Sequence, residues 1–338
     1  MCFTKNNMKI FLHIIYKMFH DLTLRDGSHA ISHQLTKEMI EDYCIFAEDA
    51  GIEVIEVGHG NGLGASSTLI GESLLSDLEM IQIAKTHLKK TKLSVHIIPG
   101  FATIKKNIDP AIAMGVDIFR IASHCTEASL TKTHIEYLSS LNKTVYGVLM
   151  MTAMCSVETL FEEAFKMKSY GANAIIIMDS TGSYLPSDVR ERVSKLVELK
   201  IPIGFHAHNN LQLAVANSIT AIEAGASIID VTIRGFGAGA GNTPLEIMAH
   251  LYECPFLNKT KILEQCDRFK VPIPICKPIN ILTSKYKIMS GFEKHIIKAA
   301  EQYKISYIEL TNHLGTQKLV AGQEDFIYIT AKQIANNI

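Results

Sequence analysis

The sequence predicts an α/β protein, a closed (β/α)8 barrel followed by a mostly helical C-terminal module, on three observations. Short β-branched or apolar runs alternate with longer stretches of helical apolar spacing from about residue 20 to 235. The runs number eight, whereas a doubly wound sheet would usually show fewer, with a phosphate-binding glycine turn after the first. After Pro244 the alternation stops, and a Pro/Cys/Lys-rich stretch from Val271 to Lys277 leads into a tail of helical periodicity.

In chain order the runs read as strands are Asp21–Arg25, Glu53–Gly58, Leu93–Pro99, Ile118–Ala122, Thr144–Leu149, Ala174–Asp179, Ile203–His208 and Ile228–Ile233. Between the first two, Thr36–Ala50 has a Thr N-cap and a Gly51 stop. Leu211–Ala224 is closed by Gly225, and Gly115 and Gly171 punctuate two further helix-to-strand joints. The tail offers helices at Phe292–Tyr303 and Ser306–Leu314. These boundaries divide the chain into an N-terminal extension (1–19), a TIM barrel (20–255) and a helical module (256–338). The apolar segment from Met8 to Phe19 carries Lys9, His13 and Lys17 and is shorter than the roughly 20 apolar residues a membrane span needs. No small-residue cleavage site follows it, so it reads as an ordinary extension or the product of an over-early start codon ahead of Met18.

The chain has 338 residues, 47% apolar and 20% charged, enough to bury a sizeable core. Its 33 basic and 34 acidic residues leave no cationic excess for a nucleic-acid backbone or an anionic membrane. The seven cysteines are odd in number and contain no Cys-x-x-Cys pair, which fits a reducing cytoplasm.

Catalytic groups of such a barrel lie at the carboxyl ends of its strands. The first strand ends in Arg25, Asp26 and, one turn on, His29. The seventh ends in His206-Ala-His208, whose imidazoles share a face because residues i and i+2 of a strand point the same way. Only the eighth strand separates these two strands. Two histidines plus Asp26 suit Mn²⁺, Mg²⁺ or Co²⁺ with open positions better than a closed structural zinc, whereas the His-x-His pair alone could simply fill the mouth. The Gly235–Gly241 run lacks a Gly-Lys-Ser/Thr ending and reads as a βα loop. His59 and Asn61 either line the pocket or cap a turn, and Cys125 and the methionines Met150, Met151 and Met154 read as structural.

The segments "DLTLRDGSHA" (Asp21–Ala30), "EVGHGNGLGASS" (Glu56–Ser67), "HCTEA" (His124–Ala128), "HAHNNLQLAVANS" (His206–Ser218), "GFGAGAGNTPLE" (Gly235–Glu246) and "GQEDFI" (Gly322–Ile327) resemble the 4-hydroxy-2-oxovalerate aldolases, part of the larger HMG-CoA lyase-like metal-dependent family. The likeness runs from about Asp21 to the C-terminus. It implies that Asp26, His206 and His208 hold a divalent metal, most readily Mn²⁺, with Asn242 as an additional or supporting group. It further implies that Arg25 stabilises enolate charge and that His29 takes the proton from the C4 hydroxyl of a 4-hydroxy-2-oxo acid. Pyruvate and an aldehyde would be the products, and an acylating aldehyde dehydrogenase docked on the C-terminal module would be a partner; an oligomer is compatible with this.

Three positions bear on the details. Met289 stands where these aldolases carry an active-site tyrosine, with Tyr286 nearby in sequence but needing a helix or loop shift to act as a stand-in, and His96 stands where they carry an aliphatic residue near the aldehyde pocket. His96 reads as a satisfied barrel histidine or as a substrate contact that would favour a more polar aldehyde. The alternative of an acyl-CoA condensing enzyme of the isopropylmalate or homocitrate synthase type is opposed by His29, since those enzymes carry Gln or Glu there. A non-catalytic binding barrel is opposed by the intact Arg25, Asp26, His206 and His208 set.

Overall fold

The computed structural model describes residues 18–317, 319–320 and 322–336. Among these, eight parallel strands close into a barrel in sequence order: β1 (Met18–Leu24), β2 (Val54–Val57), β3 (Lys92–Ile97), β4 (Ile118–His124), β5 (Thr144–Met150), β6 (Ala174–Asp179), β7 (Ile203–Ala207) and β8 (Ile228–Val231). The helices α1 (Lys37–Ala50), α2 (Asp77–His87), α3 (Asp109–Ala113), α4 (Lys132–Ser140), α5 (Val157–Ser169), α6 (Pro186–Val197), α7 (Ala214–Glu223) and α8 (Leu245–Leu251) follow successive strands. After α9 (Lys259–Arg268) come α10 (Pro278–Lys285), α11 (Glu293–Tyr303), α12 (Tyr307–Leu314) and α13 (Glu324–Asn336).

Local chemistry accounts for the joints. Thr36 accepts a hydrogen bond from the Met39 amide at the start of α1, and Ile40, Tyr43, Cys44, Ala47 and Ala50 repeat at helical spacing on its buried face. Gly51 ends the helix at φ 74°, where a Cβ would run into the Phe256 carbonyl.

Some boundaries differ from the sequence reading, each for a visible reason. β1 begins at Met18 because Met18–Asp21 pair with Ile228–Val231, closing the barrel. β7 stops at Ala207 because His208 leaves the ladder to bridge Asn242. The helix expected from Leu211 starts at Ala214, since Gln212 takes a left-handed φ of 58° and the Asn209 side chain accepts from the Ala214 amide. The Met8-to-Phe19 segment lies outside the described residues up to position 17. No helix among those described is long and apolar enough to cross a membrane.

The main core lies between the strands and the surrounding helices. A smaller one fills the barrel floor with Val54, Ile118, Tyr146, Ile176 and Ile228. The tail has its own, built from Ile279, Phe292, Ile296, Leu310, Leu314 and Ile327. Each such fully buried aliphatic or aromatic side chain contributes about 1.5–3 kcal/mol of transfer free energy. Polar contacts seat the tail on the barrel mouth: the Ser290 amide donates to the Ser180 carbonyl at 2.8 Å, and Lys294 Nζ donates to the carbonyls of His29 and Ala30 at 2.8 and 2.9 Å.

Candidate active site

The end of β1 breaks into a tight 3₁₀ turn, Asp26–Ile31, held by the Ser28 hydroxyl on the Arg25 carbonyl at 2.7 Å and completed by Ser32 in the left-handed region. The turn brings Arg25, Asp26 and His29 to one rim of the mouth. Arg25 is buried and fixed on two sides: Nε donates to Glu56 at 2.7 Å, and Nη1 donates to Asp26 at 2.7 Å and to the Gly60 carbonyl at 3.2 Å. Its Nη2 has no hydrogen-bond partner among the described residues. A buried guanidinium nitrogen left unpaired costs free energy unless a ligand oxygen completes it.

Asp26, His206 and His208 bring one ligand atom each within 4.8 Å of one another. The His206 Nε2 and His208 Nε2 atoms face each other at 3.3 Å, while His206 Nδ1 meets Asp230 at 3.1 Å. A proton on Nδ1, shared with Asp230, leaves the Nε2 lone pair toward the gap, as a metal-ligating imidazole requires. Asn242 donates its amide to Asp26 Oδ2 at 2.7 Å, and its own Oδ1 is buried without a partner among the described residues. Burial alone would raise the Asp26 carboxyl, but Arg25 and the two imidazoles hold it well below the usual range. Burial pushes His208 down to about 4. The buried carboxylates of Asp26, Glu56 and Asp230 outnumber the guanidinia of Arg25 and Arg120 by one, a deficit that a cation corrects. The donor set, two imidazoles and a carboxylate with open positions, fits a divalent ion.

Beside this cluster lies a cavity of about 40 Å³ lined by Arg25, Asp26, His29, His96, His208 and Met289. It shares His29, Asn61, Met289 and Gly291 with a larger cavity of about 440 Å³ under the tail. The His29 ring sits edge-on to His33, which in turn stacks on His59 at 3.6 Å between centroids. Burial pushes His29 down to about 3, against the pull of Asp26. His96 is buried, its Nδ1 unpartnered among the described residues, and burial pushes it down to about 3.

Met289 does reach the mouth, but Tyr286 does not. Its hydroxyl donates to Asn312 on α12 at 3.0 Å and its ring packs against Gly315, so the stand-in reading of Tyr286 is corrected: its neighbours are in the tail. Asn61 lines the cavity, while His59 holds the Gly71 carbonyl at 3.0 Å and accepts from the Asn61 amide. Met150 lines both the mouth and a neighbouring cavity, although it reads from sequence as packing. Cys125 is buried with its thiol on the Met151 carbonyl at 3.3 Å, a structural place. Three residues given no role in the sequence reading stand beneath the site: Glu56, Arg120 and Asp230. Their signal was a single charge inside an otherwise apolar strand, in "VIEV", "IFRIA" and "IIDV".

A parallel barrel with ionisable groups converging on a cavity at the carboxyl ends of its strands defines a (β/α)8-barrel enzyme. The chain belongs to the HMGL-like family, whose model matches residues 17–264, and residues 280–336 match the DmpG-like communication domain. It is 50% identical over 324 residues to a 4-hydroxy-2-oxovalerate aldolase of Pectobacterium atrosepticum, covering 93% of this chain and 94% of that protein. It is 48% identical over 323 residues to one of Spirochaeta aurantia, covering 93% and 95%. Among solved structures, the carboxyl transferase domain from Rhizobium etli pyruvate carboxylase with pyruvate and biocytin matches with a TM-score of 0.80 at 13% identity, over 96% of this chain and 61% of that one. The N-terminal domain of a putative aldolase from Bacteroides vulgatus matches with a TM-score of 0.68 at 21% identity, over 88% and 100%. These structural likenesses concern the fold.

Proposed function

We propose that the chain is a metal-dependent aldehyde-lyase that cleaves a 4-hydroxy-2-oxo acid such as 4-hydroxy-2-oxovalerate into pyruvate and an aldehyde, the activity for which its relatives are named. The observation that carries this reading is the buried Arg25 Nη2, unpaired among the described residues, beside the Asp26–His206–His208 cluster. A donor fixed by Glu56 and Asp26 and left open on one side is prepared for an oxyanion that appears only during reaction.

Asp26, His206 and His208 are assigned to hold the divalent ion, with Mn²⁺ as the expected species and Mg²⁺ or Co²⁺ as substitutes. When bound, the ion supplies Lewis acidity toward the 2-oxo acid, favouring its enolate. His29, kept unprotonated by burial, accepts the C4 hydroxyl proton as the C3–C4 bond breaks. The electron pair of that bond passes into the enolate, and Arg25 Nη2 donates to its oxygen. The aldehyde leaves, and return of the proton taken up by His29 to C3, directly or through solvent, completes pyruvate and restores the base. His96, buried in the same cavity with a free Nδ1, suits a hydroxyl on that fragment and hence a more polar aldehyde than acetaldehyde.

The communication-domain match, together with exposed Ile281, Ile308, Phe326 and Ile329, supports the 256–338 module as the docking face for an acylating aldehyde dehydrogenase that removes the aldehyde. Free thiols at Cys44, Cys125, Cys155, Cys254, Cys266 and Cys276 suit a reducing compartment such as the cytoplasm.

The test is pyruvate release from racemic 4-hydroxy-2-oxopentanoate with Mn²⁺, read through lactate dehydrogenase, beside a chelated control and the His29→Ala variant. Release should require metal and fall about 10²-fold or more in the variant, with Mn²⁺ binding retained. Absence of release from the Mn²⁺-bound wild-type protein, on this substrate and on hydroxylated analogues, would overturn the reading.

A further inference from the structure

We propose that Arg120 is a positioning residue that joins the two working ends of the site, the Arg25 guanidinium and the His206 imidazole, into one rigid unit through the barrel interior. This rests on the aldolase reading for the roles of those two ends. The contacts form a series of ion pairs: Arg25 Nε to Glu56 Oε1 at 2.7 Å, Glu56 Oε2 to Arg120 Nε at 3.4 Å, a charge contact without hydrogen-bond geometry, Arg120 Nη1 and Nη2 to the two Asp230 oxygens at 3.0 and 2.5 Å, and Asp230 Oδ2 to His206 Nδ1 at 3.1 Å. Every member is buried. The series starts at Arg25 just past β1, passes through Glu56 on β2, crosses the lumen from β4 to β8 and ends on β7.

Three features separate this from ordinary core filling. Barrel interiors are normally packed with branched apolar side chains, as the Val54, Ile118, Ile176 and Ile228 floor is here, so an arginine at this level is not needed for volume. Buried ion pairs contribute little net stability against apolar replacements of the same size. Arg120 spends its planar fork on geometry: one edge takes Asp230 in two parallel contacts while Nε lies toward Glu56, an arrangement a lysine cannot reproduce. His20 lies in the same interior, wholly buried, edge-on to Tyr146, its ring nitrogens unpartnered among the described residues. It contributes packing rather than a further link.

The predicted signature is cross-effect. Arg120 pairs with Glu56 and Asp230 rather than with Asp26, His206 or His208, yet Arg120→Met should weaken Mn²⁺ binding and slow the enolate chemistry together. Mn²⁺ affinity is read by titration calorimetry on the full chain. Enolate chemistry is read as exchange of the pyruvate C3 protons in D₂O by NMR at saturating Mn²⁺. Each should change by about tenfold or more, the range seen when outer contacts of metal ligands are removed. Arg120→Lys should recover thermal stability but not exchange. A folded Arg120→Met protein with wild-type Mn²⁺ affinity and exchange within threefold of wild type would overturn the proposal.

Where Arg120→Met does not fold, Arg120→Lys decides. It keeps the charge but not the planar fork, so weaker Mn²⁺ binding with slowed exchange in that variant supports the series, and both within threefold of wild type overturns it. Wild-type protein that binds Mn²⁺ but exchanges no pyruvate protons would refute the aldolase reading instead, and the Mn²⁺ titrations would still decide the role of Arg120.

Discussion

Three imidazoles at the mouth are held neutral by burial, and that sets how the reaction responds to acid. His29 is pushed down to about 3, His96 to about 3 and His208 to about 4, each below the ordinary 6.5. A base must be unprotonated to act, so the acid limb of the rate should fall well below the usual histidine range; a bound cation beside His29 lowers it further. Turnover at saturating Mn²⁺ should therefore be level from pH 8 down to about 5.5, measured as pyruvate release. A limb centred near 6.5 would show that a histidine of ordinary pKa controls the step. Arg25, Asp26, His29, His206 and His208 were legible in sequence because strand ends and i, i+2 spacing locate them without tertiary information. Glu56, Arg120 and Asp230 were not, because their meaning lies in contacts across the lumen that connect β1, β2, β4, β7 and β8. Tyr286 does not substitute at the mouth because closeness in sequence to Met289 says nothing about where a residue just past the end of α10 turns, and this one turns to Asn312.

At the scale of elements, the βα loops determine how closely groups from different strands approach. Gly60, in the loop after β2, lies against the face of the His29 imidazole, and a Cβ there would overlap that ring. Its carbonyl also accepts from Arg25 Nη1. Gly60→Ala should displace His29 and lower turnover by about 10²-fold, the usual consequence of a shift of about 1 Å in a catalytic group. The barrel core is untouched by this change, so the melting temperature should move by only a few degrees, as checked by calorimetry beside the kinetic assay. A variant with wild-type turnover would mean that His29 has room to relax away. The strands themselves were readable because apolar runs and glycine stops are local signals; even so, β7 ended early and α7 began late. Both differences trace to one irregular loop, where His208 bridges Asn242 and Gln212 turns left-handed. A pattern of apolar spacing cannot register that kind of event, and it is at such loops that the site is built.

Across the whole molecule, stability and site chemistry share the same buried histidines. Burial pushes His20 and His59 down to about 4, alongside His29, His96 and His208, and His33 is lowered as well. On unfolding these groups regain a pKa near 6.5, so below that pH the unfolded chain binds protons the native one refuses. Stability is thus fully present above about 6.5 and is lost as pH falls toward 4. Asp21 and Asp179 act the other way, because burial raises both to about 6 and the native state holds their protons where the unfolded state has released them. The six histidines outnumber the two aspartates, so metal-stripped protein should take up on the order of four protons on unfolding near pH 5. Its melting temperature, followed by calorimetry in EDTA between pH 4.5 and 7.5, should drop steeply across that interval. A level profile would mean that these imidazoles are solvated or charged in the native protein. Added Mn²⁺ should raise the melting temperature at pH 7, because it binds the folded cluster of Asp26, His206 and His208 and not the unfolded chain, and the same calorimetry reads the gain.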